Sequence, residues 1–185
     1  LLSVTSPVFF TFSNIMTLGR QAVCTILVAM GMTFIIGMGG IDLSVGSVVA
    51  ACGVICAAMV KESVALPVVL LVTLIAGAIF GCINGLLIAK LGLADFVATL
   101  ATMSIVRGLV YVYTKAIPIY GLRDDSFLYI GQGIVWEVPF PLIIALIVVA
   151  ICWFLMFRTK FGRHVLSIGS NQDVAGLVGV KVNKI

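Results

Sequence analysis

The residues best placed to do chemistry stand in one short run, Gly37-Met38-Gly39-Gly40-Ile41-Asp42-Leu43-Ser44-Val45-Gly46-Ser47. Gly39 and Gly40 stop a helix, because glycine adopts left-handed backbone angles cheaply. Asp42 then stands where the next helix needs an N-cap, ahead of an apolar run that ends at Val60. Its carboxylate can accept the free N–H groups of that first turn and meet the positive helix end. A broken helix with polar ends near membrane depth is how transporters pass solutes through lipid. Gly39, Gly40, Asp42, Ser44 and Ser47 are therefore candidates for a translocation path. A plain helix cap at the inner surface also accounts for Asp42, with no solute involved.

Thr99, Thr102, Ser104 and Arg107 put polar groups on a later apolar run. Thr99 and Thr102 join the candidate path, although hydroxyls that bond their own backbone are ordinary in lipid. Arg107 either faces a cavity or an acid, or snorkels to the outer surface. Gly77, Gly81 and Gly85 recur every fourth residue, a spacing that lets helix backbones pack closely. Asn84 beside them is read first as a bond between helices and second as a ligand contact.

Near the C-terminus, Ser170 or Asn171 can cap a short helix running from Gln172 to about Val178 and ending at Gly179. Such a helix suits a groove in a soluble partner, or rests on anionic lipid. Cys24, Cys52, Cys56, Cys82 and Cys152 all sit in apolar runs, and His164 stands far from them, so they read as packing residues and no metal site is expected. No phosphate-binding loop and no Ser/His/Asp set is present in the sequence. Asp42 and Asp95 are the pair an intramembrane aspartic protease would need. Such proteases place Gly directly before one Asp, whereas Ile41 occupies that position, and Asp95 is expected in a loop.

The elements that must hold these residues follow from composition. The chain of 185 residues is 62% apolar and 10% charged, where a soluble domain carries about 25% charged. With a mean hydropathy of +1.29, it has too little polar surface for water, and lipid must be its solvent. A net charge of +4 is too small and scattered for nucleic-acid binding. Five stretches reach the length a bilayer requires: Gln21–Met38, Ser44–Val60, Pro67–Ala89, Phe96–Thr114 and Phe140–Phe157. The expected fold is an all-α polytopic membrane protein with about five transmembrane helices and a break near Gly39–Asp42.

Arg158, Lys160, Arg163, Lys181 and Lys184 outweigh Asp173 after the last span, which makes that tail cytoplasmic. Counting back, 115–139 lies outside, 90–95 inside, 61–66 outside, and the Gly39–Asp42 turn inside. Leu1–Arg20 then begins outside, already apolar, and a further helix upstream of Leu1 is expected. Ser6–Gln21 reads as an amphipathic segment in the outer interface or as the frayed end of a truncated helix. Residues 1–185 are taken as one permease domain: an outer interfacial segment over 1–20, membrane helices over about 21–157 and a cytoplasmic coupling segment over 158–185.

Four motifs in order carry a family resemblance. GMTFIIGMGGIDLSVGSVVA (Gly31–Ala50) resembles the signature of ribose-type sugar permeases, the membrane subunits of bacterial ABC importers. SPVFFTFSN (Ser6–Asn14), DFVATLATMSIVRGLVYVYT (Asp95–Thr114) and FGRHVLSIGSNQDVAGLVGVKVNKI (Phe161–Ile185) are similar to the family's outer segment, polar span and coupling segment. The resemblance covers nearly the whole chain but only part of a family member. It implies a sugar importer in a bacterial inner membrane, with a periplasmic sugar-binding protein outside and ATP-binding subunits inside. A second permease copy or a homologue completes it. ATP is then bound by the partner subunit, and this chain carries no cofactor of its own. Asn171, Asp173, Ala175 and Gly179 fall in the segment that docks on the ATPase. The chain has Gln172-Asp173-Val174 where the family tends to Glu-Ala-Ala, which puts the role of Asp173 in question. A branched-chain amino acid permease is the related alternative.

Overall fold

The computed structural model describes residues 9–177 and 179–180. In chain order the elements are α1 (Phe12–Gly37), α2 (Val45–Lys61), α3 (Leu66–Ala89), α4 (Asp95–Thr114), α5 (Asp125–Gln132), β1 (Ile134–Val135), β2 (Val138–Pro139), α6 (Phe140–Arg158), α7 (Lys160–Ser170) and α8 (Gln172–Leu177). Helices α1, α3, α4 and α6 are each long and apolar enough to cross a bilayer. The remaining expected span, α2, has 17 residues, about 26 Å at 1.5 Å per residue and at the short end of what a bilayer needs.

Helix α1 differs from the expected interfacial segment. It starts at Phe12 and runs unbroken for 26 residues, so residues 12–20 continue the first span and do not form a separate outer segment. The polar residues there serve the helix. Thr11 is its N-cap and accepts the Asn14 N–H, and the Thr17 hydroxyl donates to the Ser13 carbonyl one turn back. Ser6, Pro7 and Val8, the rest of that segment, lie outside the described residues.

The helices form two packed groups. In one, α2 lies against both α3 and α4; in the other, α1 pairs with α6, and α7 folds against both. Contacts between the groups are sparse among the described residues. The chain passes from one group to the other through residues 38–44, the break between α1 and α2. Apolar side chains such as Leu74, Ile105 and Val112 stand exposed, which suits helices whose solvent is lipid.

The two ends of the bundle match the sidedness count. At one end, a Cβ on Gly40 would lie 2.9 Å from Asp95 Oδ2, and one on Gly169 would strike the Gly37 carbonyl. The break, the start of α4 and the basic tail therefore share an end. At the other, Lys61 and Glu62 line one hollow with Thr114 and Tyr120. Arg158, Lys160 and Arg163, basic residues on which the sidedness expectation rests, belong to the first end, as does Lys90.

Candidate translocation site

The break is built by two opposed helix ends. Helix α1 stops when Gly39 takes φ +83°, and Gly39 and Gly40 donate their N–H groups to the Ile36 and Ile35 carbonyls, both at 2.9 Å. This paired pattern satisfies carbonyls that the helix end would leave free, and it needs a left-handed residue where glycine stands. Gly40 also lets the chain turn tightly under Ile35 and beside Asp95.

The N-cap of α2 is Ser44, not Asp42 as the sequence suggests. Asp42 sits two residues earlier and holds the cap itself: its Oδ1 accepts the Ser44 N–H at 2.7 Å and the Ser44 hydroxyl at 2.6 Å. An aspartate bonding the backbone two residues on is a turn former, which is why the helix starts at Val45 rather than Leu43. Because Ser44 gives its only hydroxyl proton to Asp42, its oxygen can only accept from elsewhere. That fixes the Asn84 amide, whose Nδ2 donates to Ser44 Oγ at 2.9 Å. Asn84 is thus the expected bond between helices, tying α3 to the head of α2.

Helix α4 holds the other side. The Leu43 N–H donates to Thr99 Oγ1 at 3.2 Å, while that hydroxyl donates to the Asp95 carbonyl at 2.8 Å. Asp95 is the first residue of α4, so it is a helix-start residue and not part of a loop as expected. Its negative charge faces the positive end of its own helix. Its approach to Gly40 was legible only in outline, from the inside placement of both segments.

Ser44, Ser47, Asn84, Thr99 and Thr102 are all buried, and they are the buried polar residues among those described. Five of the seven expected path residues, Gly40, Asp42, Ser44, Ser47 and Thr99, therefore gather around one junction with Asn84. Thr102 lies one turn along α4 from Thr99, while Gly39 stays exposed on the turn. Two acceptors in this cluster, Ser47 Oγ and Asn84 Oδ1, have no hydrogen-bond partner in the protein. A buried polar atom without a partner is costly, so this junction offers hydrogen bonds that neutral hydroxyl groups can take up. A mostly apolar cleft of about 320 Å³ between Ile55, Phe80, Val106 and Tyr113 lies toward the other end of α2 and has little to offer a polar solute.

The remaining candidates sit elsewhere. A Cβ on Gly77 would lie 3.5 Å from Cys52 Sγ of α2, but one on Gly81 or Gly85 would meet nothing within 4 Å. The stripe thus serves α2 at one point and otherwise faces away from the described helices. Arg107 is exposed on α4, outside the buried cluster. In the tail, Asn171 caps α8 by accepting the Val174 N–H at 3.0 Å, and Ala175 is buried. Gly179 ends that turn at φ +88°, with its N–H and that of Val180 bonded to Gly176 and Ala175. This repeats the Gly39–Gly40 stop. Asp173 is exposed in the first turn of α8; Val178, Lys181 and Lys184 lie outside the described residues.

A family model described as "Branched-chain amino acid transport system / permease component" matches residues 14–185. The chain belongs to this permease family. It is an all-α, multi-pass inner-membrane protein of a transport family. The ribose import permease protein of Haemophilus influenzae is 41% identical over 100% of this chain and 58% of its own length. That of Escherichia coli K12 is 36% identical over 100% of this chain and 59% of its own length. The L-arabinose transport system permease protein of the same organism is 38% identical over 95% of this chain and 53% of its own length. The chain thus spans a little over half the length of these curated relatives. No solved structure matches it.

Proposed function

We propose that this chain forms part of the permease subunit of an ATP-driven importer, moving a simple, ribose-like sugar delivered by a periplasmic binding protein. The observation that carries the reading is the junction of Asp42, Ser44, Ser47, Asn84 and Thr99. It brings hydroxyl and amide groups, fastened by the Asp42 carboxylate, to an interrupted helix between two helical groups, where a sugar's hydroxyls find partners. The relatives named for ribose, D-allose and L-arabinose favour a sugar over the branched-chain amino acid of the family description. An amino acid would also bring a carboxylate, and the acids at the junction, Asp42 and Asp95, offer it no positive partner.

Nothing in the chain supplies a nucleotide site, so uphill movement requires a partner whose ATP cycle favours one arrangement of the two groups over another. Rocking of α1, α6 and α7 against α2, α3 and α4 about residues 38–44 would expose the junction to alternate sides. The tail is placed to drive it: Gly169 of α7 lies on the Gly37 carbonyl, at the last turn before the break. Under this reading Asn171, Asp173, Ala175 and Gly179 form the docking turn for the ATPase, and a second permease copy or homologue completes the pathway.

The test is uptake of labelled ribose, L-arabinose and leucine by cells expressing the full-length permease with its neighbouring transport genes. Sugar uptake that stops when the ATPase is inactivated is the expected result. Leucine uptake in place of sugar overturns the substrate class, and ATP-independent cleavage of a helical peptide by the purified protein overturns transport.

A further inference from the structure

The loop between α4 and α6 carries a feature that the transport reading does not use. Strands β1 and β2 pair antiparallel, Ile134 with Pro139 and Val135 with Val138, leaving Trp136 and Glu137 as a two-residue turn. Both have positive φ, 51° and 68°. Such turns are normally made by Asn and Gly, because a side chain crowds its own backbone in this region. Here the turn holds a tryptophan that is 95% exposed. Neither residue favours such a turn, and the indole stands clear of the described protein.

The hairpin is fixed to a transmembrane helix. The Phe140 N–H, first in α6, donates to the Gly133 carbonyl at 2.8 Å, and Tyr129 of α5 stacks at 5.3 Å on the Phe140 ring. Helix α6 has 19 residues, about 28 Å, against a hydrocarbon core of about 30 Å. Phe140 therefore sits at the outer edge of the hydrocarbon. The two residues of β2 then carry Trp136 about 7 Å further, into a headgroup layer about 5–8 Å thick. An amphipathic indole belongs at that level.

From this position we propose that the Ile134–Pro139 hairpin is an interfacial anchor, with Trp136 seated among the headgroups of the outer leaflet. Because Gly133 and Phe140 are bonded, the anchor sets the depth of α6, and through α6 that of α1. The partner is the lipid surface itself and not a soluble protein.

The test uses the full-length permease in phosphatidylcholine vesicles. Trp136→Phe keeps an aromatic ring, so the fluorescence lost in that variant is the Trp136 signal whatever other tryptophans are present. That difference signal should fall at least about twofold in lipid brominated high on the acyl chain and change little with aqueous iodide. Strong iodide quenching without bromolipid quenching puts Trp136 in water and overturns the anchor. Protection from iodide only on adding the purified sugar-binding protein also overturns it, in favour of a docking platform.

Discussion

Replacing Asn84 by leucine separates what the junction does for stability from what it does for transport. The change removes the bond from Asn84 Nδ2 to Ser44 Oγ, 2.9 Å long. Polar bonds between transmembrane helices contribute about 0.6 kcal/mol on average and up to about 1.7. It also removes Asn84 Oδ1, a buried acceptor with no protein partner, and an unmet buried acceptor costs about 1–3 kcal/mol. Ser44 keeps its bond to Asp42, so no new orphan is created. Leucine keeps the branch at Cγ, and its bulkier methyl groups offset part of the gain from losing that acceptor. The balance runs from about 1 kcal/mol against the variant to about 2 kcal/mol in its favour, the latter a rise in unfolding temperature of up to about 8 °C. The assay is thermal unfolding of the purified full-length permease in detergent, beside sugar uptake per inserted molecule. Stability should rise, or fall by no more than about 1 kcal/mol, while uptake drops at least about fivefold, about 1 kcal/mol of lost coupling. A destabilisation of more than about 1 kcal/mol, or undiminished uptake, would refute the reasoning.

Other perturbations address separate parts of the account. Thr99→Val keeps the shape but leaves the Leu43 N–H without its acceptor, costing about 1–3 kcal/mol, measurable as an earlier thermal transition. Gly169→Leu forces α7 off the Gly37 carbonyl; ATP hydrolysis by the assembled importer should persist while uptake falls. Gly179→Trp strains a φ of +88° by about 1 kcal/mol and should likewise uncouple hydrolysis from uptake, with the subunit still inserted. Replacing Trp136-Glu137 by Asn-Gly relaxes two strained residues and should raise the unfolding temperature in detergent by a few degrees. The bromolipid signal at that position should be lost.

Much of this architecture was legible in the residues. The spans follow from apolar runs bounded by Lys61, Glu62, Lys90 and Asp95, because lipid leaves a backbone little choice but to be helical. Gly39-Gly40 marked the break, since a residue with positive φ is cheap only as glycine. The cap was misplaced by two residues because Asp and Ser are both good caps and only the turn geometry decides between them. The start of α1 was missed because Ser13, Asn14 and Thr17 look like interface residues, yet the Asn14 and Thr17 side chains bond locally and leave the helix intact. Asn84 stood out as polar in a glycine stripe, but its partner Ser44 is 40 residues away and was not readable. The hairpin at Trp136 carries none of the residues that announce such a turn, so nothing in its sequence could reveal it.

The central claim is that the fastened break belongs to the transport route and is more than the stop of one helix and the start of another. Asp42→Ala tests it most directly, because Asp42 holds both the N–H and the hydroxyl of Ser44. Sugar uptake is measured per inserted molecule, below the variant's own unfolding temperature. The account predicts a loss of at least about tenfold, about 1.4 kcal/mol, in protein that remains inserted and folded. Full uptake per molecule, with only a lowered unfolding temperature, would contradict it and leave Asp42 as a helix cap alone.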